Sequence, residues 1–196
     1  MRPSLFELKD LEANVSEEEQ VFAIDQVNAV NYFRNGKNRK ELVKAVGTLE
    51  EGKSTYTFSS GKWSSHELLA YVLEQTGPAD VWITTWSCTE EPLRMLVKMK
   101  QNGMIRNMRC LFGDRVPVMS PNAWQLAKYN FTDIKLSHCH AKVQVIRNEQ
   151  WGVVIMGSAN FTINPRWEAG VVCCDKNVAD EFAKGIDEAM KKIKDA

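Results

Sequence analysis

Apolar positions along the chain switch repeatedly between a period near two and a period near 3.6, which marks strands alternating with helices. Thr55-Tyr56-Thr57-Phe58 predicts a strand. Ser64 and Glu67 stand at capping-box spacing before Leu68, Leu69, Val72 and Leu73, predicting a helix that Gly77-Pro78 ends. Val81 to Trp86 is the next strand, and Ser87 with Glu90 caps a helix through Leu93, Leu96 and Val97 that stops at Asn102-Gly103. Ile105 to Phe112 reads as a strand, and Ser120-Pro121 opens a short helix with Ala123, Leu126 and Ala127. Ile134 to Ile146 lacks a helical period and predicts one strand, joined through Arg147-Asn148-Glu149-Gln150 to a returning strand from Trp151 to Met156. A last helix from near Asn177 would bury Phe182, Ile186, Met190 and Ile193. The whole predicts an α/β sandwich, a mixed sheet with helices on both faces.

The first 50 residues are less patterned. Ser16 and Glu19 form a second capping box, and Phe22, Val27 and Val30 supply an apolar stripe, so a helix ending at Asn35-Gly36 is expected. Gly52-Lys53 marks the boundary, giving residues 1–50 as an arm or subunit-contact element and 51–196 as the main domain. With 196 residues, 44% of them hydrophobic, the chain can bury a substantial core. A formal charge of zero provides no global field for nucleic acid or anionic membrane, so any such attraction is local. Cys88, Cys110, Cys139, Cys173 and Cys174 show no disulfide framework, and no run reads as a signal peptide or membrane span; a cytoplasmic protein is expected, with no membrane partner.

Candidate chemistry gathers between positions 140 and 168. On the predicted strand His140 and Lys142 share a face with His138 and Gln144, while Cys139, Ala141, Val143 and Val145 take the core side. Gly157-Ser158-Ala159-Asn160 follows the returning strand, where small residues let backbone and short side chains approach an anion, and Glu168 adds a carboxylate. A nucleophile, a fixed cation, two neutral hydrogen-bonding groups and a carboxylate suit phosphoryl chemistry. Taken singly, each residue has a plainer reading: a strand histidine, a surface lysine, turn residues, an edge carboxylate. His138-Cys139-His140 hints at metal ligation, but neighbours on a strand point to opposite faces and no second cluster completes a ligand set, so neither metal nor cofactor is expected.

The combination of His140-x-Lys142 with Gly157-Ser158-x-Asn160 and a following Glu168 resembles the signature of the phospholipase D superfamily. The resemblance implies a phospholipase D-like fold with His140 as the nucleophile that forms a phosphohistidine. Lys142, Ser158 and Asn160 would hold the non-bridging oxygens, and Glu168 would orient the imidazole. One position departs: seven residues after its His the family carries Asp, and here stands Arg147. The chain holds one copy of a motif of which many family members hold two, so two chains would pair as a homodimer, each giving one His140. By the same resemblance the expected activity is that of a metal-independent phosphodiesterase, a nuclease acting on DNA or RNA; the alternatives are an inactive nucleic-acid-binding module and a phospholipase. Arg94, Lys98, Lys100, Arg106, Arg109 and Arg115, against Glu91 and Asp114, offer a basic face for a nucleic-acid backbone, with an ordinary solvated surface as the plainer reading. Trp63, Trp82, Trp86, Trp151 and Trp167 offer base-stacking surfaces, although core and interface roles are commoner for tryptophan.

Overall fold

The structure, a computed structural model, describes residues 22–27, 30–35, 39–163 and 166–193. Among them nine strands form one sheet in the order β2-β1-β3-β9-β8-β7-β4-β5-β6. The strands are β1 (Phe22–Val27), β2 (Val30–Asn35), β3 (Ser54–Ser60), β4 (Ala79–Thr85), β5 (Ile105–Gly113), β6 (Asp133–Ser137), β7 (Val143–Arg147), β8 (Gly152–Gly157) and β9 (Trp167–Cys174). Strands β4, β5 and β6 run parallel, while β7, β8 and β9 alternate, so the sheet is mixed.

Helices cover both faces. On one side lie α1 (Arg39–Val46), α2 (Ser65–Thr76), α3 (Glu90–Gln101), the short α4 (Val116–Met119) and α5 (Pro121–Asn130), around a core that includes Leu69, Leu73, Ile83, Leu93, Leu96 and Phe112. On the other, α6 (Lys176–Lys192) buries Ala179, Ala183, Ile186 and Met190 against Trp82, Val145 and Val154. Asp175 caps α6 by accepting from the backbone N–H groups of Asn177 and Val178 at 2.8 and 3.1 Å. Glu67 accepts from the Ser64 backbone N–H at 2.7 Å, as the capping-box spacing predicted. The predicted α/β sandwich with helices on both faces is thus the architecture of the chain.

Four local expectations are corrected. The stripe at Phe22, Val27 and Val30 belongs to a β-hairpin rather than a helix: β1 pairs antiparallel with β2 and with β3, extending the sheet. The two segments are rich in β-branched and aromatic residues, and an open edge of β3 gives such segments a partner. The capping box at Ser16 and Glu19 lies outside the described residues. Helix α3 takes Thr89, not Ser87, as its N-cap, and Phe182 and Ile193 are only partly buried at the margin of the α6 packing. All five cysteines are free thiols, as their spacing implied, although Cys173 is half-buried and only Cys174 of the adjacent pair is fully inside.

The fourth correction positions the site. Residues 134–146 do not form one strand. β6 ends at Ser137 on the outer edge of the sheet and β7 starts at Val143 on the far side of β4, so residues 138–142 cross the carboxyl ends of β5 and β4. That crossing spans three inter-strand spacings, about 14 Å, against a reach of roughly 20 Å for the connecting residues, so the segment bridges the gap with slack to spare and bends at His138. Polar and apolar residue types alternate from His138 to Lys142, which is why the sequence reads through the crossing as a strand.

Candidate active site

The crossing segment is tied down at both ends. Cys139 N–H donates to Ser137 C=O at 2.7 Å, and Asp114 N–H, just past β5, donates to the same carbonyl at 2.8 Å. At the other end Gly157 N–H donates to Lys142 C=O at 3.2 Å, joining the His-x-Lys segment to the end of β8. The segment after β8 is held in turn to the end of β4: Phe161 N–H donates to Ser87 C=O at 3.2 Å and to the Thr85 hydroxyl at 3.1 Å. The exits of β4, β5, β6 and β8 therefore meet the starts of β7 and β9 along one edge, the edge where open α/β sheets place ligands.

His140 sits at the midpoint of the crossing with its side chain exposed, its ring 5.6 Å from that of Trp86, the first residue beyond β4. His138 lies edge-on to the same indole at 5.5 Å, with Nδ1 3.3 Å from the Asp114 carboxylate. Neither histidine stands on a strand face as predicted, and Ala141 is exposed rather than in the core. Lys142 turns back so that Nζ donates to the His140 carbonyl at 2.8 Å, and it lines a cleft with Gly157, Ala159 and Glu168. Partial burial lowers the Lys142 pKa from the ordinary lysine value, against the opposing influence of Cys139 and Glu168.

Ser158 donates its hydroxyl proton to Glu168, and the same oxygen accepts from Ala169 N–H at 3.0 Å. Glu168 is thus seated on Ser158, not on the His140 ring that the resemblance implied. Asn160 meets Thr85 through its side-chain oxygen at 3.4 Å, at the end of β4. Of the five candidate residues, the structure joins Lys142, Ser158 and Glu168 closely, with His140 beside them on the crossing and Asn160 one step further along the edge. Among the described residues no group of three or more His, Cys, Asp or Glu side chains is placed to hold a metal ion.

The glycine that opens Gly157-Ser158-Ala159-Asn160 has a steric cause. Gly157 pairs with Gly170 of β9, and a Cβ at 157 would fall 2.6 Å from Ala169 C=O. The pair lets β8 and β9 close up so that Ser158 reaches Glu168. Gly157→Ala is expected to cost roughly 1–3 kcal/mol, a fall of about 3–10 °C in melting temperature, with turnover reduced in the refolded fraction; an unchanged melting curve with full turnover would refute the close-approach role.

Other parts of the cleft were missed. Thr57 and Ser59 of β3, Trp63, Ser65 of α2 and Gln144 of β7 line it with Lys142 and Glu168. Gln144 is buried and donates to the Ser65 hydroxyl, while its Oε1 has no partner among the described residues. Apart from Gln144, which shared a predicted face with His140 and Lys142, these residues come from β3, α2 and the loop between them, remote in sequence, so only the sheet order brings them to the site.

Arg147 stands at the opposite end of β7, five residues and about 16 Å from Lys142. There its Nε meets Asp180 of α6 at 2.6 Å. The family's Asp position thus lies far from the chemistry, and an Arg there pins strand to helix. Arg147→Asp would oppose Asp180 with a like charge: a loss of about 0.5–1 kcal/mol, recovered in Arg147→Asp/Asp180→Arg, with no gain in turnover. A tenfold rise in turnover for the single variant would show that this position does act on the site.

The basic residues from 91 to 115 do not form a continuous track. Arg94 is paired with Glu90, Arg106 with Glu149 and Arg109 with Asp133 and Asp187, the last also lying 5.1 Å over the Trp82 ring. The hydrogen bond from Arg106 holds the Glu149 carboxyl down at about 2. Arg106 and Arg109 are on the early half of β5, and Lys98 and Lys100 lie in the last turn of α3, both away from the strand exits; Arg115, just beyond β5, is at the site edge.

No protein-family model and no curated protein matches the chain by sequence. Its fold matches that of Nuc, a phospholipase D family member from Salmonella typhimurium, with 17% identity, a TM-score of 0.54, and coverage of 73% of this chain and 97% of that one. It also matches NucT from Helicobacter pylori, with 14% identity, a TM-score of 0.52, and coverage of 71% and 98%. The chain has a phospholipase D-like fold.

Proposed function

We propose that this chain is a metal-independent phosphodiesterase of phospholipase D type, a nuclease acting on DNA or RNA as a homodimer. The observation that carries this reading is the crossing segment, which sets His140 and Lys142 over the exits of β4 and β8, where Ser158 and Glu168 already meet. The fold shared with a phospholipase D family member and with NucT supports it.

A phosphodiester resists attack because its oxygens are negative, so a site must neutralise charge, supply a nucleophile and protonate the leaving oxygen. The Lys142 ammonium neutralises. Asn160 can donate through its amide, and Ser158 through its hydroxyl once the proton turns from Glu168 to a phosphate oxygen. Neutral His140 of one subunit attacks phosphorus; the phosphorus–ester bond breaks, and protonated His140 of the other subunit gives its proton to the departing oxygen. That second imidazole then takes a proton from water, the hydroxide attacks phosphorus, and the phosphorus–nitrogen bond breaks. The net change is one ester bond hydrolysed. Exposure of His140 at the sheet edge leaves it open to a second copy about a two-fold axis.

Glu168 acts here through Ser158, orienting its hydroxyl. Arg147, the departure from the family's Asp, stands at the far end of β7 from Lys142, which favours a working site over an inactive binding module. Among the described residues no helix is long and apolar enough to cross a membrane. The test is cleavage of labelled single- and double-stranded DNA and RNA in excess chelator by the native chain and by His140→Ala. Cleavage lost with chelator alone would overturn the metal-independent reading.

A further inference from the structure

Beside the crossing segment, and outside the cleft of Lys142 and Glu168, lies a second cleft of about 230 Å³ lined by Trp86, Ser87, Arg115, Val116, Met119 and Ser120. We propose that it is a subsite for one unpaired nucleobase of a single strand, next to the phosphate held at His140. The proposal rests on the nucleic-acid reading of the active site and assigns that site a strand specificity.

Trp86 is the link between the two clefts. Its indole lies against both His138 and His140, at 5.5 and 5.6 Å between ring centroids, and it also lines the second cleft. Trp82 is a core residue, Trp63, Trp124 and Trp151 pack against the core, and the exposed Trp167 stacks on Phe58; Trp86 belongs to neither core cluster and is half-buried. Its backbone is held by a close approach: a Cβ on Gly113 would fall 2.3 Å from the Trp86 carbonyl oxygen, so β5 must end in glycine there. A large aromatic surface is thereby held at the nucleophile without a packing role.

The rest of the lining suits a base and its phosphate. Met119 is 66% exposed and offers a polarisable thioether, which adapts to flat rings. Arg115 is exposed and, among the described residues, makes no ion pair, unlike Arg94, Arg106 and Arg109. A guanidinium at this place can meet the phosphate following the base or stack on it. The cleft is below the roughly 300–1,000 Å³ of sites for drug-sized ligands, the scale of one ring system. A base within a duplex keeps its faces covered by its neighbours, so the subsite selects unpaired strands.

The experiment is equilibrium binding of labelled single-stranded DNA and RNA, intact or with an abasic residue scanned through each position, to the full chain and to Trp86→Ala, Trp86→Phe and Arg115→Gln. Native protein is expected to lose about tenfold in affinity at one abasic position, from the stacking of a single base. Trp86→Ala should lose a similar factor on the intact strand and no longer sense that position, Trp86→Phe should still sense it, and Arg115→Gln should lower the salt slope by about one. Affinity indifferent to every abasic position, a Trp86→Ala protein that still senses one, or no binding of single strands at all overturns the subsite. Cleavage followed on the same strands separates the two readings: absent turnover with position-specific abasic sensitivity intact sinks the phosphodiesterase and leaves the subsite standing.

Discussion

His140→Ala is expected to lower cleavage of labelled oligonucleotides in excess chelator by at least about a thousandfold, because the proposed mechanism has no second group at the crossing to replace the attacking nitrogen. His138 is nearest in sequence, but its Nδ1 faces Asp114. The variant should fold normally, since His140 is exposed and its ring contact is with Trp86. Subunit mixing adds a sharper reading. If each active unit uses one His140 from each chain, an equal mixture of native and variant subunits retains about a quarter of native turnover, the share of purely native dimers. Independent sites would retain about half. A monomer with full turnover would remove the dimeric mechanism, and a fully active His140→Ala protein would remove the site.

The candidate residues of the proposed mechanism are legible in the sequence because the chemistry needs particular side-chain types at short range along the chain: His140 with Lys142, and Gly157 with Ser158 and Asn160. Apolar patterning likewise exposed α2, β4, β5, β8 and α6, the helices by a stripe against the core and β4 and β8 by a run buried on both faces. It failed at residues 138–142, where residue types alternate as on a strand but the chain crosses strand ends with His140 and Ala141 both exposed. It failed at 22–35 because Phe22, Val27 and Val30 are too sparse to separate a helix stripe from a hairpin, and the pairing with β3 decides. Glu168 is a candidate in the sequence, but its partner in the structure is not legible there. The resemblance gave it to the imidazole, whereas the Gly157–Gly170 approach delivers it to Ser158. Thr57, Ser59 and Ser65 carried no local signal, since only the order of strands places them at the same edge, and Trp86 is one of five tryptophans that read as base-stacking surfaces, with nothing local to single it out.

Lys142→Ala is expected to lower turnover by roughly 10²–10³-fold, the scale for removing one preorganised donor from a developing charge. The pH dependence gives the stronger test. Partial burial lowers the Lys142 pKa, so the ammonium loses its proton at a lower pH than a free lysine would, and activity falls on the alkaline side earlier than ordinary lysine chemistry predicts. Stability moves the other way. Between the folded and the ordinary value the unfolded chain binds the proton and the folded chain does not, so this group makes folding more favourable as pH rises through that window. Falling turnover accompanied by a level or rising melting temperature therefore marks titration of Lys142 and not alkaline unfolding. Lys142→Arg keeps the positive charge across this range, because a guanidinium does not deprotonate there, at the cost of a different reach to the phosphate. Its turnover should be lower at neutral pH and its alkaline limb displaced upward or lost. The same limb at the same pH in native and Lys142→Arg protein would assign the titration to another group and take from Lys142 its place as the charge that the phosphate meets.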